Sequence, residues 1–111
     1  MRVLGVIFFA VLVLVGCGTD KHTMQLIGEA ESVMIEYPDS ALNIMRSIDP
    51  ANIRGDEDMA HYRLAMAEAM YHNYVDDGRD SLTTLFYDYY LESDDHEKRA
   101  RALYQHAFAM H

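Results

Sequence analysis

The sequence has little cysteine and proline, no tryptophan and few positive charges. Its 111 residues include one cysteine, two prolines, and nine basic residues against 18 acidic ones, for a net charge of −9. A single cysteine excludes an intramolecular disulfide framework and a cysteine-based zinc knuckle. Because nucleic acid attracts clustered Lys and Arg, this charge balance predicts no nucleic-acid binding. The longest basic cluster, Lys98-Arg99 with Arg101, is typical of a solvated helix face.

The first 16 residues are typical of an export signal. Arg2 supplies a positive start, the run Val3–Val15 is apolar, and the small residue Gly16 precedes Cys17. As a helix this run would rise roughly 20 Å, which is short of the roughly 30 Å hydrocarbon thickness of a bilayer. The sequence therefore predicts a cleaved signal peptide over residues 1–16 and not a membrane span.

Leu14-Val15-Gly16-Cys17 resembles the lipobox of bacterial lipoproteins, in which lipid is attached to the cysteine before the signal is cleaved. The resemblance implies lipid attachment at Cys17 and a place in the cell envelope, at the outer membrane or the periplasmic face rather than in the cytoplasm. The alternative is an uncleaved anchor that ends in a free thiol. We expect residues 17–23 to form a lipidated tether, because several lipid chains together anchor a protein stably.

Five segments of the mature chain carry apolar residues at helical spacing, and none alternates with the period of two that a strand needs. We therefore predict an all-α domain over residues 24–111, with successive helices paired as antiparallel hairpins. The predicted starts are Met24, the caps Asp39-Ser40, Asp56 and Asp80-Ser81, and a capping box of Asp94 with Glu97.

Core stripes can be assigned to the last three segments. They are Ala60-Leu64-Ala67-Tyr71, Leu82-Leu85-Phe86-Tyr89 and Ala100-Leu103-Ala107-Met110. Small residues dominate the first of these stripes, so a neighbouring helix can approach its backbone closely. Phe108 lies off the last stripe, which predicts an incompletely covered end, with Phe108 as a candidate interface and self-association through the carboxy-terminal helix.

The sequence shows no constellation for catalysis or metal binding. Its histidines never fall at the i, i+4 spacing of a helical zinc site. The acidic loop 76–80 fails the calcium-loop template because Val75 and Thr84 occupy two ligand positions. Acidic pairs such as Glu29 and Glu31 are explained as solvent-facing charge. With no phosphate loop or nucleophile elbow either, we predict no enzyme, no cofactor and no metal.

Tyrosines concentrate around the third and fourth segments, at Tyr71, Tyr74, Tyr87, Tyr89 and Tyr90. Core packing explains most of this group, and a helix buries about half of its circumference. Tyr89 then belongs to the core stripe, whereas Tyr87 and Tyr90 point elsewhere. These two residues are the candidates for contact with a peptide or a sugar ring.

Several short motifs, taken with Cys17, resemble the tetratricopeptide-repeat lipoproteins of Gram-negative gut bacteria. They are Tyr37-Pro38-Asp39-Ser40-Ala41-Leu42, Ser47-Ile48-Asp49-Pro50, Asn73-Tyr74-Val75-Asp76 and Asp80-Ser81-Leu82. The resemblance spans most of residues 24–111 and implies a short stack of helical hairpins, about five helices in all, with a concave face that binds proteins or peptides. In that family such a segment is often the amino-terminal portion of a longer protein.

We therefore expect a membrane-anchored scaffold module that binds a protein or peptide in the cell envelope and has no catalysis of its own. One alternative is the sensory amino-terminal domain of a longer envelope-linked regulator, favoured if the reading frame continues past His111. A second alternative is a glycan-binding lipoprotein of an uptake system, favoured if exposed aromatic side chains line a pocket.

Overall fold

A computed structural model of the chain describes residues 18–109. These residues form five α-helices and no strand, so the predicted all-α class is confirmed. The helices are α1 (Lys21–Val33), α2 (Pro38–Ser47), α3 (Asp56–His72), α4 (Arg79–Leu91) and α5 (His96–Ala109), with a 3-10 turn at Pro50–Asn52. The predicted signal peptide, Cys17 and Met110 lie outside the described residues.

Each helix packs against the next one along the chain, and short connections make such neighbours antiparallel. In addition, α1 packs on α3 and α3 packs on α5. The first helices of successive hairpins therefore form one side of the array. None of the five described helices is both long and apolar enough to cross a membrane.

Helix α3 is the centre of the array because it is buried on two opposite sides. Its buried rows are Tyr62-Ala65-Ala69, in the core with α1 and α2, and Ala60-Leu64-Ala67, in the core with α4 and α5. Ala65 and Ala67 have no exposed surface. Small side chains on both rows allow close approach of the neighbouring helices. The predicted stripe is buried at Ala60, Leu64 and Ala67, whereas its fourth member, Tyr71, is only half-buried. The second row adds a core on the other side.

The first two helices begin earlier than predicted. Helix α1 begins at Lys21, inside the segment expected to be a tether, and the Thr19 hydroxyl exchanges hydrogen bonds with the backbone of Arg54. Helix α2 begins at Pro38, since proline at the first helical position loses no hydrogen bond. Asp39-Ser40 therefore lies within the first turn and does not cap it.

The last two helices also differ at their starts. Gly78 precedes α4 with φ 83°, a left-handed conformation that glycine adopts without strain, so Asp80-Ser81 lies inside the first turn. Before α5 the cap is Asp95 and not Asp94. The Asp95 carboxylate accepts a hydrogen bond from the backbone N–H of Lys98 at 3.0 Å, and this bond lowers the pKa of Asp95.

The stripe predicted for α4 is right only in part. Phe86 is fully buried, but Leu85 is 55% exposed and Tyr90 replaces Tyr89 as the second buried ring. Arg79 and Thr83 continue the buried row toward the start of the helix. The buried Thr83 hydroxyl has a partner, because it donates a hydrogen bond to the Arg79 carbonyl oxygen at 2.8 Å. A search for apolar spacing does not detect this buried row, because two of its members, Arg79 and Thr83, are polar.

The stripe predicted for α5 is wrong within the described residues. Its members there are all exposed, namely Ala100, Leu103 and Ala107. The helix instead buries Ala102 and Gln105, next to Arg101, whose guanidinium reaches carboxylates of α1 and α3. This ion pairing sets the rotation of α5 about its axis. Phe108 is 40% exposed, and self-association through α5 stays a prediction.

Candidate functional site

The side formed by α1, α3 and α5 carries a cavity of about 310 Å³, the inner groove. It is lined by Glu31, Met34, Ile35, Glu68, His72, Glu97 and Arg101. The turn that follows α1 supplies its apolar edge, where Ile35 is 76% exposed. Helices α3 and α5 supply its charged walls. Exposed apolar surface that is rimmed by polar groups can mark a protein-contact site or a ligand groove.

Arg101 is the centre of an ion-pair cluster that joins the three helices of the inner groove. Its Nε donates to Glu68 Oε2 at 2.9 Å and its Nη2 to Glu68 Oε1 at 2.5 Å, a bidentate geometry. Nη2 also donates to Glu31 Oε2 at 2.6 Å. The Arg101, Glu31 and Glu68 side chains are 23, 25 and 15% exposed, so water screens these pairs only in part.

Glu31 and Arg101 of the cluster stay ionised well below neutral pH. His61 Nε2 lies 2.9 Å from Glu31 Oε2 and donates to it. Burial by itself raises the pKa of Glu31, but the hydrogen bonds from His61 and Arg101 outweigh burial and lower that pKa to about 2. Burial likewise lowers the pKa of Arg101, and Glu68 and Glu31 raise it above its ordinary value. The charges therefore satisfy one another and hold the walls of the groove in place.

A second cavity, of about 410 Å³, lies where the end of α3, the following turn and α5 meet. This tyrosine pocket is lined by Tyr71, His72, Tyr74, Asp76, Arg79 and Tyr104. His72 also lines the inner groove, so the two cavities adjoin at that residue. Tyr74, which is 93% exposed, and Tyr104, which is 51% exposed, form the rim.

Tyr71 organises the aromatic wall of the tyrosine pocket. Its hydroxyl lies 3.2 Å from that of Tyr104, and this hydrogen bond raises the pKa of Tyr71. Its ring centroid lies 5.9 Å from that of Tyr104 and 5.1 Å from that of Phe108, distances typical of aromatic pairs. The candidate interface residue Phe108 is therefore packed in part against this wall.

Arg79 is the buried cation of the tyrosine pocket. It is 8% exposed, and its Nη2 donates to Asp76 Oδ1 at 2.9 Å. Its guanidinium carbon lies 5.4 Å from the centroid of the Tyr71 ring, within cation–π range. Its Nε and Nη1 are buried without a hydrogen-bond partner. Unpartnered donors on a buried charged group are costly and rare in folded proteins.

The tyrosines predicted to face a ligand lie in neither cavity. Tyr87 is half-buried and stacks on His106, with ring centroids 3.8 Å apart. The expectation that Tyr90 points away from the core is wrong, because it is 2% exposed, and its burial raises its pKa. The Tyr90 hydroxyl has no partner and lines a separate cavity of about 160 Å³. A ligand-facing role for either residue stays a prediction.

Sequence reasoning missed the two arginines that organise the cavities. Arg101 was assigned to a solvated face and Glu31 to solvent, yet the two pair across 70 positions of the sequence. No local spacing reveals such a pair. Arg79 falls within the acidic segment 76–80, where apolar spacing predicts no burial. The available signal was its place on the row that continues through Thr83 and Phe86.

Within the residues that the structure describes, no group of three or more His, Cys, Asp or Glu side chains is placed to hold a metal ion. Comparisons with family models, curated proteins and solved structures give no match for this chain.

Proposed function

We propose that this chain is a lipid-anchored protein of the cell envelope whose helical array binds a protein or peptide segment in the inner groove. The observation that carries the proposal is the composition of that groove. Helices α1, α3 and α5 combine the exposed Ile35 with charged walls that the Arg101 cluster holds in place. A preformed surface of this kind binds a peptide at low entropic cost.

The distribution of hydrogen bonds favours binding over catalysis. Glu31, Glu68 and Arg101, the most buried charged groups of the groove, pair with one another. A general base needs a lone pair and a pKa near the working pH, and the pKa of Glu31 lies at about 2. Glu31 therefore does not suit the role of a general base at neutral pH, and the contacts of the cluster serve to position helices.

The anchor would hold the amino-terminal end of the helical array close to the membrane. Residues 18–20 alone separate Cys17 from α1, which begins at Lys21. A tether of that length, fully extended, spans roughly 14 Å. The hydrogen bonds of Thr19 to Arg54 shorten the free part further. The groove lies beside the opposite end of α1, roughly 20 Å of helix further from the anchor, so the length of that helix adds to the tether in setting how far from the membrane a partner is bound.

The test is selection of a random peptide library on the mature chain and on two variants. Ile35→Glu places a carboxylate in the groove, and Leu85→Glu makes the matched change at a residue of α4 that is 55% exposed and lies outside it. We expect the selected peptides to bind Ile35→Glu about tenfold more weakly than the parent, a loss of about 1.4 kcal/mol. The Leu85→Glu variant should bind them as the parent does. Equal binding to all three proteins, or no enrichment at all, would contradict the proposal.

A glycan-binding lipoprotein is the second candidate, and the exposed rim of the tyrosine pocket favours it. Sugar rings stack on tyrosine faces, and Tyr74 and Tyr104 present such faces next to a cavity. A glycan array distinguishes the two candidates. Binding of a neutral glycan that is lost in Tyr104→Leu and kept in Ile35→Glu supports the second candidate, and the absence of any bound glycan counts against it.

A further inference from the structure

We propose that the tyrosine pocket is a binding site for a carboxylate group of a peptide, with Arg79 as the residue that binds the anion and Tyr71 and Tyr104 as aromatic walls. The proposal rests on the proposed function, because it names a group by which a peptide partner is recognised. It concerns a different cavity from the inner groove, although the two adjoin at His72.

Comparison with Arg101 shows that Arg79 has fewer hydrogen-bond partners than a buried arginine of this protein can have. The Nε and Nη2 of Arg101 are both filled by Glu68, and its Nη2 also reaches Glu31. Arg79 is more deeply buried, at 8% exposed, yet it makes one side-chain hydrogen bond, to Asp76. Its Nε and Nη1 have no acceptor. The donors of an arginine this deeply buried normally have acceptors. Glu68 and Glu31 supply acceptors to Arg101, whereas Nε and Nη1 of Arg79 have none.

The chemistry of the guanidinium defines the occupant. It has donors alone, so the occupant must offer acceptor atoms, and a carboxylate matches the fixed spacing of adjacent guanidinium N–H groups. Nε and Nη1 do not share an edge, so one carboxylate would pair with either of them together with the second N–H of Nη2, whose first partner is Asp76. The partner present, Asp76, has a side chain that is 85% exposed and keeps much of its hydration. A second anion beside the Tyr71 ring would form charge-assisted hydrogen bonds in a drier environment. A neutral sugar would leave the same charge without compensation.

Size and position favour a peptide as the carrier of the carboxylate. The pocket, of about 410 Å³, lies in the range of cavities that hold small ligands, and its aromatic walls suit an apolar side chain next to the anion. A peptide that lies in the inner groove would reach the pocket at His72. The net charge of −9 also repels anions from the surface as a whole, so carboxylate binding would report a local site.

The test uses three short probes on the mature chain. They are acetyl-Ala-Phe with a free carboxylate, the same dipeptide as its amide, and acetyl-Glu-Phe amide, whose carboxylate is on a side chain. Calorimetry measures affinity, and NMR follows the Nε–Hε resonance of Arg79. We expect at least one carboxylate probe to bind tenfold or more tightly than acetyl-Ala-Phe amide and to shift that resonance. If acetyl-Ala-Phe binds more tightly, the site recognises the carboxylate of a chain terminus. If acetyl-Glu-Phe amide binds more tightly, it recognises the carboxylate of an acidic side chain.

Three variants locate the binding. Arg79→Met keeps the length of the side chain and removes the donors, so it should lower affinity for the carboxylate probe at least tenfold. Tyr104→Leu keeps Arg79 and removes an aromatic wall, so it should weaken binding several-fold even if Arg79→Met fails to fold. Tyr37→Leu is the matched control, since Tyr37 is 59% exposed and lines neither cavity. It should bind as the parent does.

Equal affinity for the acid and amide probes, or binding that leaves the Arg79 resonance in place, would overturn the proposal. Methyl glucoside that binds while both carboxylate probes do not would overturn it as well. The Ile35→Glu variant separates this proposal from the proposed function. It should still bind the carboxylate probe while it loses peptides selected on the groove, so the two can fail independently.

Discussion

Arg101 connects three helices through carboxylates that would otherwise stand half-buried beside each other. Glu31 and Glu68 both accept hydrogen bonds from its Nη2, so their mutual repulsion is offset at one atom. Removing one member of such a cluster leaves uncompensated charge, which costs more than the net stabilisation that the intact cluster provides. Arg101 is therefore the single residue on which the walls of the inner groove depend most.

Replacing Arg101 with Met should lower the free energy of unfolding by about 2–4 kcal/mol, because two partly buried carboxylates lose their cation. The matched change Arg46→Met, at an exposed position of α2, should alter it by less than about 0.5 kcal/mol. Urea unfolding followed by circular dichroism measures both. Similar midpoints for the two variants would show that the cluster does not stabilise the array.

Protonation of Glu31 should lower the stability of the folded protein in acid. Its pKa is lowered from 4.5 to about 2 in the folded protein, so its stabilising effect is complete above pH 4.5. That stability is lost as the pH falls from 4.5 toward 2, because the unfolded chain binds the proton first. We expect a loss of about 1–3 kcal/mol across this window, with partial exposure reducing the upper value.

The control for the acid effect is Glu31→Gln, which removes the titrating group. The variant should be less stable than the parent at pH 6, and its unfolding midpoint should fall less steeply between pH 4.5 and 2.5. Thermal melts at several pH values in that range measure the slope. Equal slopes for parent and variant would assign the acid sensitivity to other carboxylates.

The buried face of α3 can largely be predicted from the sequence, whereas the buried face of α5 cannot. The small residues around Ala67 predict a closely packed face, and α3 buries Ala60, Leu64 and Ala67 of that face. For α5 the apolar stripe was misleading, because Arg101 turns inward and leaves Leu103 on the surface. Apolar spacing describes local burial, whereas an ion pair between distant helices depends on tertiary structure. The same limit hid Arg79, and with it the tyrosine pocket.

Ala67→Arg tests the packing of α3 against α4 and α5. Ala67 has no exposed surface, so the larger side chain forces these helices apart and buries a charge. We expect a loss of about 3 kcal/mol or more in the free energy of unfolding. The matched change Ala100→Arg, at an exposed position of α5, should be close to neutral. An unchanged melting midpoint in Ala67→Arg would mean that this interface is not tightly packed.

As a whole, the proposed molecule has a lipid anchor before α1 and a groove formed by the first helices of successive hairpins. The helical array follows from the pattern of apolar residues and turns, and it is present in the structure. The anchor is predicted from Leu14-Val15-Gly16-Cys17. The groove could not be predicted, because its lining comes from helices that the sequence separates widely.

Cys17→Ser should release the protein from the membrane fraction. Without a thiol no thioether to lipid can form, so the variant lacks the lipid that anchors the parent. Fractionation of cells measures the distribution of parent and variant, and intact mass of the parent should show the lipid and the absence of residues 1–16. A variant that stays in the membrane as firmly as the parent, together with a parent mass without lipid, would refute the anchor.

The most direct test of the proposed function is to map where a selected peptide binds by NMR. A peptide enriched on the parent protein is titrated into the isotope-labelled mature chain, and backbone amide shifts are followed residue by residue. The account predicts that the largest shifts cluster at Ile35, Glu68, His72 and Glu97, with α2 unchanged. Shifts confined to α2 and the outer side of α4, or the absence of any saturable shift, would contradict it.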